Sequence, residues 1–145
     1  MPIRCDVVSV ERVVFSDSVD MVIAPGVDGV LGILPHHAPL MTALVPGEIV
    51  IHKAGQEDVL LAVGGGFMEV RPDRVTILAD QAERAEEIDM ARAEAARQRA
   101  QQLLSGRPSG VDIVQAEHAL RRSQIRLKVA RRKRGTFLSQ SSEPK

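Results

Sequence analysis

Two hydrophobic rhythms divide the chain. Through about residue 82, short Val/Ile-rich runs are punctuated by Gly or Pro every 8–15 positions, which is the texture of β-structure. Arg4-Cys5-Asp6-Val7-Val8-Ser9-Val10 and Glu48-Ile49-Val50-Ile51-His52 alternate with a period near two, as half-buried strands do. The pattern predicts strands over residues 4–10, 13–15, 19–24, 29–34, 47–53, 58–63, 66–70 and 74–79. Pro25-Gly26-Val27-Asp28-Gly29, Pro46-Gly47, Lys53-Ala54-Gly55-Gln56 and Arg71-Pro72-Asp73-Arg74 supply turn chemistry between them. Many short strands joined by tight turns indicate a flattened sandwich or barrel, not βαβ units.

Beyond residue 82 the period becomes helical. Residues 86–104 contain no Gly or Pro and are rich in Ala, Glu, Arg and Gln, all good helix formers. Ile88, Ala91, Ala95, Ala96, Ala100, Leu103 and Leu104 recur at steps suited to one apolar stripe. Ser105-Gly106-Arg107-Pro108-Ser109-Gly110 breaks the helix, and a second is expected over 112–132, with Asp112 and Gln115 as a capping box. Its stripe is Ile113, Ala116, Ala119, Leu120, Ser123, Leu127 and Ala130. Residues 81–85 either extend the last strand or form the first helical turn, and 136–145 reads as a mobile polar tail. A short connection makes the helices an antiparallel hairpin, so the fold class is α+β with a β-sandwich over 1–85 and a helical hairpin over 86–135. A seam built mostly of alanine contributes little burial per contact, so this hairpin is only weakly committed to the closed arrangement.

Charge sharpens the division. The 145 residues carry 19 basic and 19 acidic side chains, yet residues 1–80 stand at −6 and residues 81–145 at +6. The second helix concentrates Arg121, Arg122, Arg126, Lys128, Arg131, Arg132, Lys133 and Arg134. That run reads as a solvated basic face, or as a surface for an acidic protein, a phosphate-bearing ligand or nucleic acid. With no Trp or Tyr and three Phe, the chain lacks the aromatic surface of a base-stacking module. The one cysteine, Cys5, cannot form an internal disulfide, and the N-terminus lacks the marks of a secretory signal or transit peptide.

Candidate catalysis is thin. His36 and His37 are adjacent, and neighbouring side chains of an extended segment point opposite ways, which disfavours joint metal ligation. His52 and Cys5 stand without a supporting motif. Gly64-Gly65-Gly66 is followed by a strand and lacks the Lys-Ser/Thr pair of a phosphate loop, so it reads as a bend between strands. No nucleophile elbow is present. From residues alone two other classes stay open: a stand-alone sandwich whose basic helices hold nucleic acid, and, disfavoured by ligand geometry, a small metal hydrolase.

The stretch Gly26-Val27-Asp28-Gly29-Val30-Leu31-Gly32-Ile33-Leu34-Pro35-His36-His37-Ala38-Pro39-Leu40-Met41-Thr42 closely resembles the PG-DG-x-x-GILP-x-HAPL-x-T segment of the epsilon subunit of F-type rotary ATP synthases. Val63-Gly64-Gly65-Gly66-Phe67-Met68-Glu69-Val70 and Val75-Thr76-Ile77-Leu78-Ala79 resemble that family's GGF-x-EV and VTILA strands, and the likeness spans about residues 3–132. It implies a ten-stranded sandwich and two helices, without catalytic residues of its own, mounted on the central stalk. It implies a peripheral place at the cytoplasmic face of a bacterial plasma membrane, reached only through the complex. The implied partners are the gamma subunit, the c-ring and the alpha/beta catalytic head, with no nucleic acid. Asp28, Gly29, Val30, Leu31, His37, Ala38 and Pro39 would meet gamma and the c-ring. Arg121, Arg122, Arg126, Arg131 and Arg132 would meet an acidic segment of the catalytic head when the helices extend and inhibit hydrolysis. No cofactor is required and no metal is implied.

Some bacterial members bind ATP as a regulatory ligand through an I/L-D-x-x-R-A motif, matched here by Ile88-Asp89-Met90-Ala91-Arg92-Ala93. By the same likeness Ile88, Asp89, Arg92, Ala93, Arg99, Arg122 and Arg126 would form that site, the alternative being an ordinary ion pair among solvated arginines. Three positions depart from or stretch the pattern. Val30 stands where many members have a polar or acidic residue, which weakens a charge-based c-ring contact there. His36 replaces a small or polar residue, and Gly64 is compatible as a third glycine.

Overall fold

In this computed structural model the described residues are 2–106 and 110–141, with side chains described to 133. The chain divides into two compact units, Met1–Arg84 and Ala85–Lys145.

The first unit contains ten strands: β1 (Ile3–Ser9), β2 (Val13–Val19), β3 (Met21–Gly26), β4 (Gly29–Ile33), β5 (Leu40–Leu44), β6 (Gly47–His52), β7 (Val59–Val63), β8 (Gly66–Arg71), β9 (Arg74–Ala79) and β10 (Ala82–Arg84). They form one continuous ladder, β10-β7-β6-β3-β5-β8-β9-β1-β2, with β4 also paired to β3. The pair β1–β9 is parallel and the others are antiparallel. Inward positions of alternating strands build the core, including Ile3, Cys5 and Val7 of β1, Met68 and Val70 of β8, and Val75 and Ile77 of β9. Near-complete burial of so many branched side chains is the main stabilising term of this unit.

Eight strands coincide in location with the expected ones, and two were not anticipated. Leu40-Met41-Thr42-Ala43-Leu44 mixes good helix formers with one β-branched residue, and its conformation is set by pairing with β8 from Leu40↔Val70 to Leu44↔Gly66. Residues 82–84 form a separate strand paired with β7, so that segment neither extends β9 nor supplies the first turn of the helix. Strand β2 outruns the expected 13–15 because Ser16, Asp17 and Ser18 pair with Asp6, Cys5 and Arg4, and the Ser16 hydroxyl donates to Asp6 Oδ1 at 2.6 Å.

The second unit opens with a 3-10 turn (Ala85–Glu87) and contains α1 (Met90–Ser105) and α2 (Gly110–Ser141), packed on one another; α2 also packs on the turn. Helix α1 begins at Met90 and not at residue 86, because Asp89 has extended backbone and caps it: its side chain accepts from the Arg92 amide at 3.1 Å. Helix α2 already includes Gly110, so Asp112 lies inside the first turn and is not the cap. The helix continues past residue 132 through Ser141, replacing the expected tail over 136–141; the rest of that tail, 142–145, lies outside the described residues, as do 107–109 of the connection.

The α2 stripe matches expectation, with Ala116, Ser123, Leu127 and Ala130 buried, and Val129 buried in addition. On α1 the buried alanines are Ala93 and Ala100, whereas Ala91, Ala95 and Leu103 are exposed. Alanine occurs on several faces of this helix, so periodicity alone leaves its rotation underdetermined. Packing against α2 selects one face.

Candidate functional site

In the first unit, the β3–β4 hairpin projects a tip at Val27-Asp28, closed by the pair Gly26↔Gly29. The tip depends on glycine at both ends. Gly29 has φ +131°, and a Cβ at Gly26 would meet the Gly29 carbonyl oxygen at 2.7 Å. Val27 and Val30 are exposed, while Leu31 turns partly onto the core. The expected rotor residues therefore fall into two groups. Asp28, Gly29, Val30 and Leu31 lie at the tip end of β4, and His37, Ala38 and Pro39 lie beyond its other end, past Ile33. Five residues, Gly32 to His36, lie between the two groups along the chain.

The histidines are held by backbone. His36 has φ 66° and sits in a turn, not in an extended segment, which revises the geometric reason for separating it from His37. Its amide donates to the Pro72 carbonyl at 2.8 Å, and His37 Nδ1–H donates to the Ala38 carbonyl at 2.7 Å. Among the described residues no group of three or more His, Cys, Asp or Glu is placed to hold a metal. Burial pushes the Cys5 thiol up to about 12, which removes its nucleophilic form at neutral pH. The three glycines make the bend between β7 and β8: Gly65 and Gly66 have φ +109° and +138°, and Gly64 N–H donates to the Gln81 carbonyl at 2.9 Å.

One feature of this unit escaped the sequence reading. Ladder register aligns Ala43, Phe67, Leu78, Val8 and Val13 in a single row across β5, β8, β9, β1 and β2. The row lies on the face away from the core. Phe67, Leu78 and Val13 are 60%, 57% and 61% exposed, and Met41, 69% exposed, lies two residues along β5 on the same face. Phe67 shares parity with Glu69 and Arg71, and Leu78 with Thr76 and Arg74, so an apolar residue at an outward position was the available signal. Half-buried Ala43 and Val8 complete the row, which leaves more apolar surface in water than scattered single residues do.

In the second unit, the elements of the Ile88–Ala93 motif have distinct structural roles. Ile88 is buried, Asp89 caps α1, and Ala93 is fully buried in the helix seam. Arg92 and Arg99 are exposed seven residues apart, close to two turns, and so share a flank of α1. Arg122 precedes buried Ser123 and Arg126 precedes buried Leu127, which places both on one flank of α2. In an antiparallel pair, residues that precede the seam on both helices emerge on the same side. Arg92, Arg99, Arg122 and Arg126 accordingly share one face of the hairpin, with Asp89 adjoining at the start of α1. The five arginines expected to meet a catalytic head do not share one face. Arg121 and Arg132, eleven residues apart, point away from the seam, whereas Arg131 lies on the flank opposite Arg122 and Arg126.

Comparison with known proteins gives a consistent result for both units. The family described as "ATP synthase, Delta/Epsilon chain, beta-sandwich domain" matches residues 2–85, and "ATP synthase, Delta/Epsilon chain, long alpha-helix domain" matches 86–131. The chain is 53% identical over 133 residues to an ATP synthase epsilon chain of Dehalococcoides mccartyi, covering 91% of this chain and 94% of the relative. The epsilon chain of Herpetosiphon aurantiacus is 55% identical over 134 residues, covering 92% and 98%. Among solved structures, a chain of the Euglena gracilis mitochondrial ATP synthase (OSCP/F1/c-ring) shares the fold at TM-score 0.75 and 23% identity, over 85% of this chain and 78% of that one. A chain of the Tetrahymena thermophila mitochondrial ATP synthase central stalk/c-ring aligns at TM-score 0.57 and 13% identity, over 90% and 97%.

Proposed function

The chain belongs to the ATP synthase delta/epsilon family, and from that premise we propose a division of labour between its two units. It is a non-catalytic epsilon-type subunit of the central stalk of an F-type ATP synthase. The β-unit is the coupling element. Its exposed row of Phe67, Leu78 and Val13 packs on the gamma subunit, and the tip at Asp28, Gly29, Val30 and Leu31 reaches the c-ring. His37, Ala38 and Pro39, beyond the other end of β4, join the gamma contact. The observation that carries this reading is the apolar row itself, which a free-standing domain has no reason to leave in water. With Val30 at the tip, the c-ring contact is one of packing more than of charge. The subunit then works at the cytoplasmic face of a bacterial plasma membrane through its partners; no helix among the described residues is long and apolar enough to cross a membrane.

The hairpin is the regulatory element. An interface of Ala93, Ala100, Ala116 and Ala130, with Leu127 as its largest side chain, gives each contact a small burial term. Closed and open arrangements within a few kcal/mol of each other are what a population switch requires. Opened, α2 presents Arg121, Arg122, Arg126, Arg131 and Arg132 to an acidic part of the catalytic head and inhibits hydrolysis. Because these arginines are spread around α2, the head must grip the helix from more than one side. Closed, Arg92, Arg99, Arg122 and Arg126 line a face suited to the phosphates of ATP as a regulatory ligand. On this arrangement Asp89 and Ala93 act by setting the start of α1 and the helix spacing, and Ile88 by anchoring the segment before it.

The decisive experiment measures ATP hydrolysis and proton-coupled synthesis by the assembled enzyme with and without residues 86–145. Relief of inhibition with coupling retained is expected; unchanged hydrolysis refutes the regulatory role. Calorimetric titration of the full chain with ATP tests the nucleotide face, where Arg92→Ala or Arg126→Ala should weaken binding.

A further inference from the structure

The hairpin has a second basic face, unconnected with the nucleotide motif. Buried Ala93 and Ala100 separate Arg92 and Arg99 from Glu94 and Arg97 on α1, and buried Ser123 and Leu127 separate Arg122 and Arg126 from Gln124 and Lys128 on α2. On that opposite side Arg97, Gln124, Leu127, Lys128 and Arg131 line a cleft of about 550 Å³ between the helices. We propose that this cleft binds a small polyanion of the diphosphate class, gripping it from both helices at once.

Three cations line the cleft, Arg97 from α1 and Lys128 and Arg131 from α2; the Nε/Nη2 edge of Arg97 is taken by Glu94, so the forked contact to a ligand falls to Arg131. Forked donors suit phosphoryl oxygens, and Arg on one helix facing Arg and Lys on the other suits a ligand with anionic groups at two ends. One carboxylate, Glu94, stands close by. It is engaged in a two-pronged ion pair in which Arg97 Nε donates at 3.1 Å to one oxygen and Nη2 donates to the other. That pair fixes the Arg97 guanidinium and leaves the cleft with a net positive charge of two. The Arg97 hydrogen bond and the nearby charges of Arg97 and Arg131 hold the Glu94 carboxyl below its ordinary value, so it stays ionised and keeps Arg97 in place at neutral pH. Leu127, 3% exposed, supplies the apolar part of the lining, and Gln124 adds a neutral donor. The cleft is open to solvent, so recognition there rests on charge more than on enclosure.

A ligand bridging the helices binds only the closed hairpin and stabilises it by mass action. The proposal does not rest on the inhibitory role of α2, and its test reads ligand binding by the isolated chain where the truncation assay reads turnover by the assembled enzyme, so the two ideas fail separately.

The test is calorimetric titration of the full chain with inorganic pyrophosphate, and in a second arm with ATP, at low ionic strength. The Lys128→Gln/Arg131→Gln double variant alters two exposed helix positions with another good helix former, and circular dichroism checks that it folds. The expected result is saturable binding of one pyrophosphate, weakened about tenfold or more by that double variant, as for loss of a charge-assisted hydrogen bond. The charge-matched control Arg71→Gln/Arg74→Gln, at two exposed positions of the β-unit, should leave pyrophosphate binding unchanged. ATP binding that also depends on Lys128 and Arg131 identifies nucleotide phosphates as a source of the ligand; pyrophosphate binding alone identifies the inorganic anion. Absence of saturable binding, or equal weakening by both double variants, would overturn the proposal.

Discussion

Truncating the apolar row should separate assembly from folding. Phe67 and Leu78 are neighbours in register on β8 and β9, and each leaves more than half of its surface in water in the free chain. Full burial of a Phe or Leu side chain is worth about 1.5–3 kcal/mol, so what a partner can still cover at each is about 1–2 kcal/mol. Phe67→Ala and Leu78→Ala should each weaken binding to the gamma subunit about 5- to 30-fold. Both positions point away from the core, so thermal unfolding of the free chain should move little. The assay is equilibrium binding of the fluorescently labelled chain to enzyme depleted of this subunit, paired with calorimetric unfolding of the same variants. Met41→Ala, on the same face two residues from Ala43, should show a smaller loss of the same kind. Binding unchanged within about twofold by the Phe67→Ala/Leu78→Ala double variant, with the fold intact, would refute the assignment of this face.

Further outcomes follow from single contacts. Asp89→Ala should cost about 1 kcal/mol of hairpin stability by removing the bond to the Arg92 amide, with Asp89→Asn largely neutral in the same calorimetric scan. Gly66→Ala should destabilise the β-unit by roughly 2–4 kcal/mol, because φ is +138° and the new Cβ would lie 2.1 Å from the Leu78 carbonyl oxygen; denaturant unfolding reads the loss. Burial raises the Cys5 pKa from 9.0 to about 12, so its contribution to stability is fully present below pH 9 and declines as pH rises toward 12. Iodoacetamide at pH 8 should leave Cys5 unmodified in the native chain and alkylate it in denaturant. Rapid native alkylation would contradict the burial.

Legibility in the sequence followed the locality of the physics. Strands whose alternation and flanking turns are written in consecutive residues, such as β1, β6, β8 and β9, were found close to their true bounds. Strand β5 was not, because Leu40–Leu44 carries no strong intrinsic preference and becomes a strand by pairing with β8. The β3–β4 tip was visible as Pro25-Gly26-Val27-Asp28-Gly29, a turn specified by its own glycines. The row of Ala43, Phe67, Leu78, Val8 and Val13 was not visible, since its members come from five strands and meet only through register.

By itself, then, the sequence determined a β-unit followed by a helical pair, the family to which they belong, and the segregation of acidic from basic charge between them. These depend on short-range pattern: period, turn chemistry, and residues counted along the chain. Tertiary structure alone decided which alanines of α1 close the seam, that Asp89 is spent on a helix cap, and which arginines face one another across the hairpin. An alanine-rich helix offers several faces of similar hydrophobicity, and separate helices come into contact only by packing, so those choices reside in the contacts between elements and not within any one of them.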